Sequence, residues 1–197
     1  MNTLNYYYYF KLSIRYIRGY FYRLISGNFG ADRLRVGSGV AIFGNQIKIG
    51  KRVKIANNVS IYKNVDIGNG VIIGDNVELR CNLSNAIRIG NNCTINRNSM
   101  IMGNVIIGND CMIAPDCVVV GSNHIFSDVN RNIKSQGISS KGIIIEDNVW
   151  LGAKAVVVDG VSIGSGSVIG AASVVTKDIP QNSIAIGNPC RVIKTRE

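Results

Sequence analysis

The chain has 197 residues, with 22 Lys or Arg against 12 Asp or Glu, which gives a formal net charge of +10. Its 46% hydrophobic content, with 22 Gly and 3 Pro, is typical of one soluble domain, and we expect no second core. No apolar stretch approaches the length of a membrane span, and the start lacks the basic-then-apolar signal pattern, which together predict a cytoplasmic protein. The charge favours anionic partners such as a phosphorylated cofactor, a lipid surface or an acidic glycan. Nucleic acid is not expected, because none of its recognition motifs is present.

Residues 1–30 predict an amphipathic helical cap that ends near Gly27. Within "NYYYYFKLSIRYIRGYFYRLISG", apolar residues recur at helical spacing beside a basic stripe. The apolar positions are Tyr6, Phe10, Ile14, Ile17, Phe21 and Leu24, and the basic ones are Lys11, Arg15 and Arg18. Two compatible roles stay open: the helix covers the open end of a repeat fold, or residues 6–25 attach to an anionic membrane surface.

Residues 31–197 are dominated by a six-residue repeat. Every sixth position in three runs is Ile, Leu or Val: Ile49, Ile55, Ile61, Ile67, Ile73, Leu79; Ile89, Ile95, Ile101, Ile107, Ile113, Val119; Ile145, Leu151, Val157, Ile163, Ile169, Val175. Gly, Asp or Asn follows the aliphatic residue, and these types tolerate the backbone of a tight corner. A six-residue unit cannot bury its apolar side alone, so stacked coils are required. The repeat therefore predicts an all-β solenoid, a parallel β-helix.

The cysteines are predicted to be reduced core residues. Cys93, Cys111 and Cys117 fall on inward positions of the repeat, and the five cysteines lack the paired spacing of a metal site. His124 is the only histidine, so we expect no zinc site.

Four extra residues separate the first two runs, and the one long break in the repeat is at "GSNHIFSDVNRNIKSQGISSKG". Continuing the phase from Val119 would place Arg131 and Gly137 inside, so residues 124–142 are predicted to leave the wall as an external loop. Long loops in compact folds are often functional, and His124 stands where this one departs.

The hexads, together with "NHIFSD", "IIIEDNVWLGAKAVVVDGVSIGSGSVIGAASVVTKDIPQNS" and "GNPCRVIK", resemble the hexapeptide-repeat acyltransferases. The nearest resemblance is to bacterial sugar O-acetyltransferases, including maltose and galactoside acetyltransferases and those that modify capsule or lipopolysaccharide. It covers about residues 36–195 and is most specific from Asn148 to Lys194. It implies a left-handed β-helix, a homotrimer, and acetyl-coenzyme A as acyl donor in the groove between subunits, with no metal.

The resemblance also implies the site residues. His124 would be the general base on the acceptor hydroxyl, and Asn96 in "TINRNSM" would orient the acceptor or the histidine. Trp150 would lie beside the pantetheine arm, and the small side chains of Ala153 and Ala171 would let the backbone approach coenzyme A. The remaining contacts would lie near its nucleotide end and come from Thr176, Lys177 and Arg191. Packing for Trp150 and a solvated corner for Asn96 remain open, and the partner of His124 is not identified, although Asp128 is nearby in sequence.

The expected activity is acetyl transfer from acetyl-coenzyme A to a sugar hydroxyl, with a surface polysaccharide or its precursor as acceptor. A small free sugar, an amino-sugar nucleotide or an antibiotic stays open as acceptor, and a non-enzymatic scaffold is the alternative from another class. A β-helical carbonic anhydrase is excluded, because it needs three histidines. The tail is placed at residues 180–197, where Cys190 departs from the alanine that the family often has.

Overall fold

The computed structural model describes residues 3–26, 32–44, 46–81 and 85–197, without the side chains of 3–10 and 23–26. It is a left-handed parallel β-helix of about eight coils, which confirms the expected fold. Within these described ranges two helices accompany it, α1 (Thr3–Ser26) and the single turn α2 (Ile133–Gln136).

Three parallel sheets form the faces of a prism, and each coil runs through face A, then face B, then face C. Strands are numbered along the chain. Face A contains β1 (Arg35–Val36), β4 (Lys54–Ile55), β7 (Ile72–Ile73), β10 (Thr94–Ile95), β13 (Met112–Ile113), β18 (Trp150–Leu151), β21 (Val168–Ile169), β23 (Ser183–Ile186) and β24 (Arg191–Thr195). Face B contains β2 (Ala41–Ile42), β5 (Ser60–Ile61), β8 (Glu78–Arg80), β11 (Met100–Gly103), β14 (Val118–Gly121), β19 (Val156–Val158) and β22 (Val174–Val175). Face C contains β3 (Ile47–Ile49), β6 (Val65–Ile67), β9 (Ile87–Ile89), β12 (Val105–Ile107), β17 (Ile143–Ile145) and β20 (Ser162–Ile163).

The core is the column of aliphatic side chains that the repeat predicts. All eighteen sixth-position residues are buried, which confirms the periodicity. Each lies over its counterpart in the next coil: Ile95 pairs with Ile113, and Ile113 pairs with Leu151 although residues 122–142 intervene. The five cysteines are also buried and free, as expected.

The corners use the residue types that the repeat predicts. Asn76, Asn98 and Asp116 occupy successive coils at φ 58°, 59° and 63°, a left-handed conformation that Asn and Asp tolerate. Their side chains form a ladder, because Asn76 donates to Asn98 at 3.0 Å and Asn98 donates to Asp116 at 2.9 Å. The ladder joins successive corners.

Helix α1 packs on the first coil, but not through the predicted apolar stripe. Its contact face is centred on Gly19, where a Cβ atom would collide with the Leu34 carbonyl oxygen, and on Tyr22, whose hydroxyl donates to the Val40 carbonyl at 2.5 Å. Ile17 and Phe21 of the predicted stripe are 55% and 57% exposed. The exposed part of the stripe leaves both predicted roles of the helix open. Tyr6, Phe10, Leu24 and Gly27 lie outside the described side chains.

The segment predicted as a tail, 180–197, instead contains two strands. β23 pairs in parallel with β21 and so extends face A by one rung. β24 then folds back antiparallel on β23. The aliphatic spacing stops before this segment, which is why the repeat did not indicate that face A continues.

Candidate active site

The excursion from the repeat starts with an antiparallel ribbon. β15 (Asn123–His124) follows β14 of face B directly and pairs with β16 (Ile138–Ser139), so that His124 lies opposite Ile138. The chain then enters face C at β17. His124 is exposed and lies on the edge between faces B and C, outside the core.

His124 lines a groove of about 260 Å³ that we call the histidine groove. Lys141 and Asp159 lie on its opposite wall, and Phe126 contributes an exposed aromatic ring. Asp159 fixes the return of the loop: its carboxylate accepts hydrogen bonds from the backbone N–H groups of Lys141 at 3.0 Å and Gly142 at 2.8 Å. Sequence reasoning missed Asp159, since an Asp at a β-helix corner looks the same whether or not it holds a loop.

Side-chain hydrogen bonds join the two sides of the loop at its tip. The Gln136 side chain donates to the carbonyls of Asp128 at 2.9 Å and Arg131 at 3.0 Å, and its oxygen accepts from the Asp128 N–H at 3.0 Å. The Asp128 carboxylate accepts from the Asn130 N–H at 3.0 Å. Asp128 is therefore engaged in closing the loop tip.

Asn96 and Trp150 lie together in a second groove, on face A. This indole groove, of about 280 Å³, is lined by Thr94, Asn96, Met112, Ala114 and Trp150. Trp150 is 46% exposed and stands one rung above Met112, so its ring is not an ordinary core packing element. The Asn96 side chain donates to the Ile113 carbonyl at 3.0 Å, which leaves its own carbonyl oxygen as an acceptor towards the groove. Met112 was missed, although it occupies the same outward repeat position as Trp150.

The expected coenzyme contacts are distributed over two edges. Ala153 and Ala171 occupy the A–B edge in successive coils, and the Ala172 N–H donates to the Ala153 carbonyl at 2.8 Å. The coils approach closely here, since a Cβ on Gly152 would lie 2.6 Å from the Ala171 nitrogen. Thr176 and Lys177 are exposed on the B–C edge of the last complete coil.

Arg191 lies at the same end of the solenoid. It follows Cys190, whose N–H donates to the Val174 carbonyl at 2.8 Å in the last coil. One nitrogen of its guanidinium donates to the Cys190 carbonyl at 2.8 Å, and the side chain is otherwise exposed.

One chain thus places its candidate residues on opposite sides of face B. Asn96, Trp150, Ala153 and Ala171 are on face A or its border with face B, whereas His124, Thr176 and Lys177 are on the B–C edge. The structure brings Asn96 and Trp150 into one groove, and it does not bring His124 into that groove.

All five cysteines are buried and none lines either groove. The hydrogen bond with Cys111 lowers the pKa of the Cys93 thiol. Burial raises the pKa of the Cys117 and Cys190 thiols, and the pKa of Cys111 is raised first by its hydrogen bond with Cys93 and then by burial. Neutral buried thiols are unreactive.

Among the described residues no group of three potential metal ligands occurs. Within the same residues no helix is long and apolar enough to span a bilayer.

Comparisons with known proteins agree with this architecture. The model of the bacterial transferase hexapeptide (six repeats) matches residues 46–81 and 86–121, and that of the hexapeptide repeat of succinyl-transferase matches residues 142–177. The galactoside O-acetyltransferase of Lactococcus lactis is 52% identical over 65 residues, or 32% of this chain and 31% of its own length. The matches to the curated relatives thus span about a third of their length.

Two solved structures are similar over longer ranges. The hexapeptide-repeat acetyltransferase VCA0836 of Vibrio cholerae, in complex with acetyl coenzyme A, is 30% identical, with 66% of this chain and 70% of that one covered and a TM-score of 0.59. The polySia-specific acetyltransferase NeuO is 33% identical, with 81% of this chain and 83% of that one covered and a TM-score of 0.50.

Proposed function

The chain belongs to the hexapeptide-repeat acyltransferase family, and we propose that it transfers the acetyl group of acetyl-coenzyme A to a sugar hydroxyl. The observation that carries the proposal is the position of its only histidine. His124 stands exposed at the base of the long excursion over residues 122–142, beside a groove, rather than in the solenoid core.

The chemistry asked of His124 is general base catalysis. An imidazole accepts the proton of the acceptor hydroxyl while the oxygen attacks the thioester carbonyl. As the tetrahedral intermediate collapses and the C–S bond breaks, the imidazolium returns that proton to the sulfur, and coenzyme A leaves as its thiol. Direct transfer needs no covalent enzyme intermediate, in agreement with the burial of all five cysteines. The loop over residues 122–142 walls the groove and limits the access of water.

We propose that the complete site forms between copies of the chain in a homotrimer. A base must come within hydrogen-bond distance of the acceptor hydroxyl, and face B separates His124 from Asn96 and Trp150 within one chain. In the proposed trimer, the B–C edge of one copy would lie against the A–B side of the next. The apolar side chains that the loop exposes, Phe126, Val129 and Ile133, support contact with a neighbouring copy.

The donor fits the groove that such an assembly would create. Trp150 offers an exposed apolar wall for the pantetheine arm, and Ala153 and Ala171 have no side chain beyond Cβ to block it. Lys177 and Arg191 are exposed cations at the far end of the solenoid, where the phosphates of the nucleotide would lie.

The acceptor is proposed to be a surface polysaccharide or its precursor, assembled at the inner membrane face. Helix α1 supports peripheral contact with that membrane, because Ile17, Tyr20 and Phe21 are more than half exposed beside the exposed Lys11 and Arg15. A Phe21→Ser variant should reduce sedimentation with vesicles containing anionic lipid. Unchanged sedimentation would assign the helix to capping alone.

The test of the activity is release of the coenzyme A thiol with a panel of saccharides. The wild type should release thiol with at least one saccharide, and His124→Ala should lose about 10²–10⁴-fold in rate, the usual contribution of a general base. Lys134→Ala, which changes an exposed residue on α2, is the matched control and should keep the rate. A scaffold would release no thiol, and full activity in His124→Ala would show that another group is the base.

A further inference from the structure

A basic cleft lies between α1 and the first two coils, at the opposite end of the solenoid from Lys177 and Arg191. Its volume is about 460 Å³, and Arg33, Arg35, Arg52 and Lys54 line it together with Tyr16. The acetyl transfer proposed above uses none of these residues.

The four cations form two adjacent columns. Arg35 and Lys54 are direct partners on neighbouring strands of face A, about 4.8 Å apart. Arg33 and Arg52 occupy the preceding corner of the same two coils, at φ 55° and 59°. In the next coil Gly70 and Ile72 follow Arg52 and Lys54 in the two columns, so the columns of positive side chains end there. Gly70 has no side chain to fill the cleft.

Among the described residues the one ion pair joins Arg80 to Glu78, elsewhere in the fold, so none of the four cations is ion-paired. Asp32 is the nearest acidic residue in sequence: it lines the adjoining cleft, which Arg33 also borders, and its backbone carbonyl accepts from the Arg52 N–H at 2.6 Å. The Arg35 Nε atom is buried without a hydrogen-bond partner, and the guanidinium is stacked at 5.0 Å on the Tyr16 ring, which holds it in place.

Face C shows how this fold balances a charged column when no ligand is needed. There Lys48 lies opposite Asp66 on the neighbouring strand, and Asp66 lies opposite Arg88 on the next, so positive and negative side chains alternate along the face. Like charges directly opposite each other are destabilising. The unbalanced pair of Arg35 and Lys54 therefore differs from the chain's own structural ladder, and an external anion would relieve it.

We propose that this cleft binds a phosphate or diphosphate group. A phosphate or diphosphate carries two or more negative charges, which suits a cleft lined by four cations. Planar guanidinium groups form paired hydrogen bonds with phosphate oxygens. The phosphate can come from a membrane lipid headgroup or from a soluble phosphate ester, such as a phosphate-linked sugar.

The test measures binding of inorganic pyrophosphate by calorimetry in saturating acetyl-coenzyme A, so that any site for the coenzyme phosphates is already filled. Wild type should bind pyrophosphate, and Lys54→Gln and Arg52→Gln should each weaken binding about tenfold or more, as expected for loss of a charge-assisted hydrogen bond. Lys48→Gln removes the same charge from face C and should bind as wild type does. Both cleft substitutions are at exposed positions, and circular dichroism checks that each variant is folded.

A second arm identifies the source of the phosphate. Vesicles of phosphatidylcholine with and without phosphatidylglycerol are compared with soluble sugar phosphates, for wild type and both cleft variants. Binding to either ligand that depends on Lys54 and Arg52 supports the site and names its source. No binding of pyrophosphate by wild type, or equal binding by Lys54→Gln, Arg52→Gln and Lys48→Gln, would overturn the proposal.

Discussion

Removal of the Asp159 carboxylate should release the loop that carries His124. The carboxylate accepts hydrogen bonds from two backbone N–H groups at the point where the loop returns, Lys141 at 3.0 Å and Gly142 at 2.8 Å. Hydrogen bonds to charged groups contribute about 1.5–3 kcal/mol each, and a partly exposed position favours values at or below the low end. Asp159→Ala should therefore cost about 2 kcal/mol of local stability.

The assay is native-state hydrogen exchange of the Lys141 and Gly142 amides. A loss of about 2 kcal/mol corresponds to roughly 30-fold faster exchange, and we expect thiol release to fall because His124 shares the groove with these residues. Asp178→Ala is the matched control, because Asp178 accepts a single backbone N–H, that of Ser162 at 2.8 Å, at a corner without a loop. Equal exchange of the loop amides in both variants would refute the idea that Asp159 holds the loop.

Three further predictions follow from the core and the grooves. Ile113→Ala leaves a cavity at a fully buried position between two coils and should lower the free energy of unfolding, measured in urea, by about 2–5 kcal/mol. Ile144→Ala is the control on the outer side of face C and should cost about 0.5 kcal/mol or less. Similar losses in the two variants would contradict the burial pattern. Burial raises the pKa of Cys117 above the ordinary 9.0, so its stabilising contribution is complete below that pH and is lost as the pH rises towards the folded-state pKa. Cys117→Ala should thus show a smaller fall in urea midpoint than wild type between about pH 8 and about pH 10, and an identical fall would count against this linkage. Trp150→Ala should raise the KM for acetyl-coenzyme A about tenfold, in line with loss of a half-exposed apolar wall, while Trp150→Phe keeps most of the affinity; an unchanged KM in the Ala variant would exclude Trp150 from the donor site.

The core of the fold was predictable because it depends on a local repeat. A sixfold spacing of aliphatic residues decides which side chains point inward, and the Asn, Asp or Gly that often follows gives the corner, as at Asn76 and Asp116. The inward position and the corner are both determined by residues a few positions apart in the sequence. The loop was visible for the same reason, as a failure of the spacing after Val119.

The orientation of α1 was not predictable in this way. Its most apolar stripe includes Ile17 and Phe21, yet the helix packs through Gly19 and Tyr22. Close approach at a glycine and one hydroxyl hydrogen bond decide the contact, and both depend on what the first coil presents. Helical periodicity ranks positions by hydrophobicity and carries no information about that surface.

The residues proposed for the site could be named from the sequence, but their division between two edges could not be foreseen. His124 and Trp150 were identified by their resemblance to family motifs, and nothing in their spacing shows that face B separates them. That arrangement follows from the order of the faces within each coil. Asp159 was missed because its role comes from the loop amides that fold back onto it.

The central proposal is that one chain supplies His124 to a site whose indole groove belongs to its neighbour. The His124→Ala and Trp150→Ala chains can each be expressed alone as references and co-expressed in equal amounts, so that mixed trimers form. If each site draws its histidine and its tryptophan from different copies, random assembly restores both residues in about a quarter of the sites. At subsaturating acetyl-coenzyme A, where Trp150→Ala alone should keep only about a tenth of the wild-type rate, thiol release should then reappear at roughly a quarter of the wild-type rate. Mixed trimers that form and release thiol no faster than the average of the two single variants would contradict a shared site.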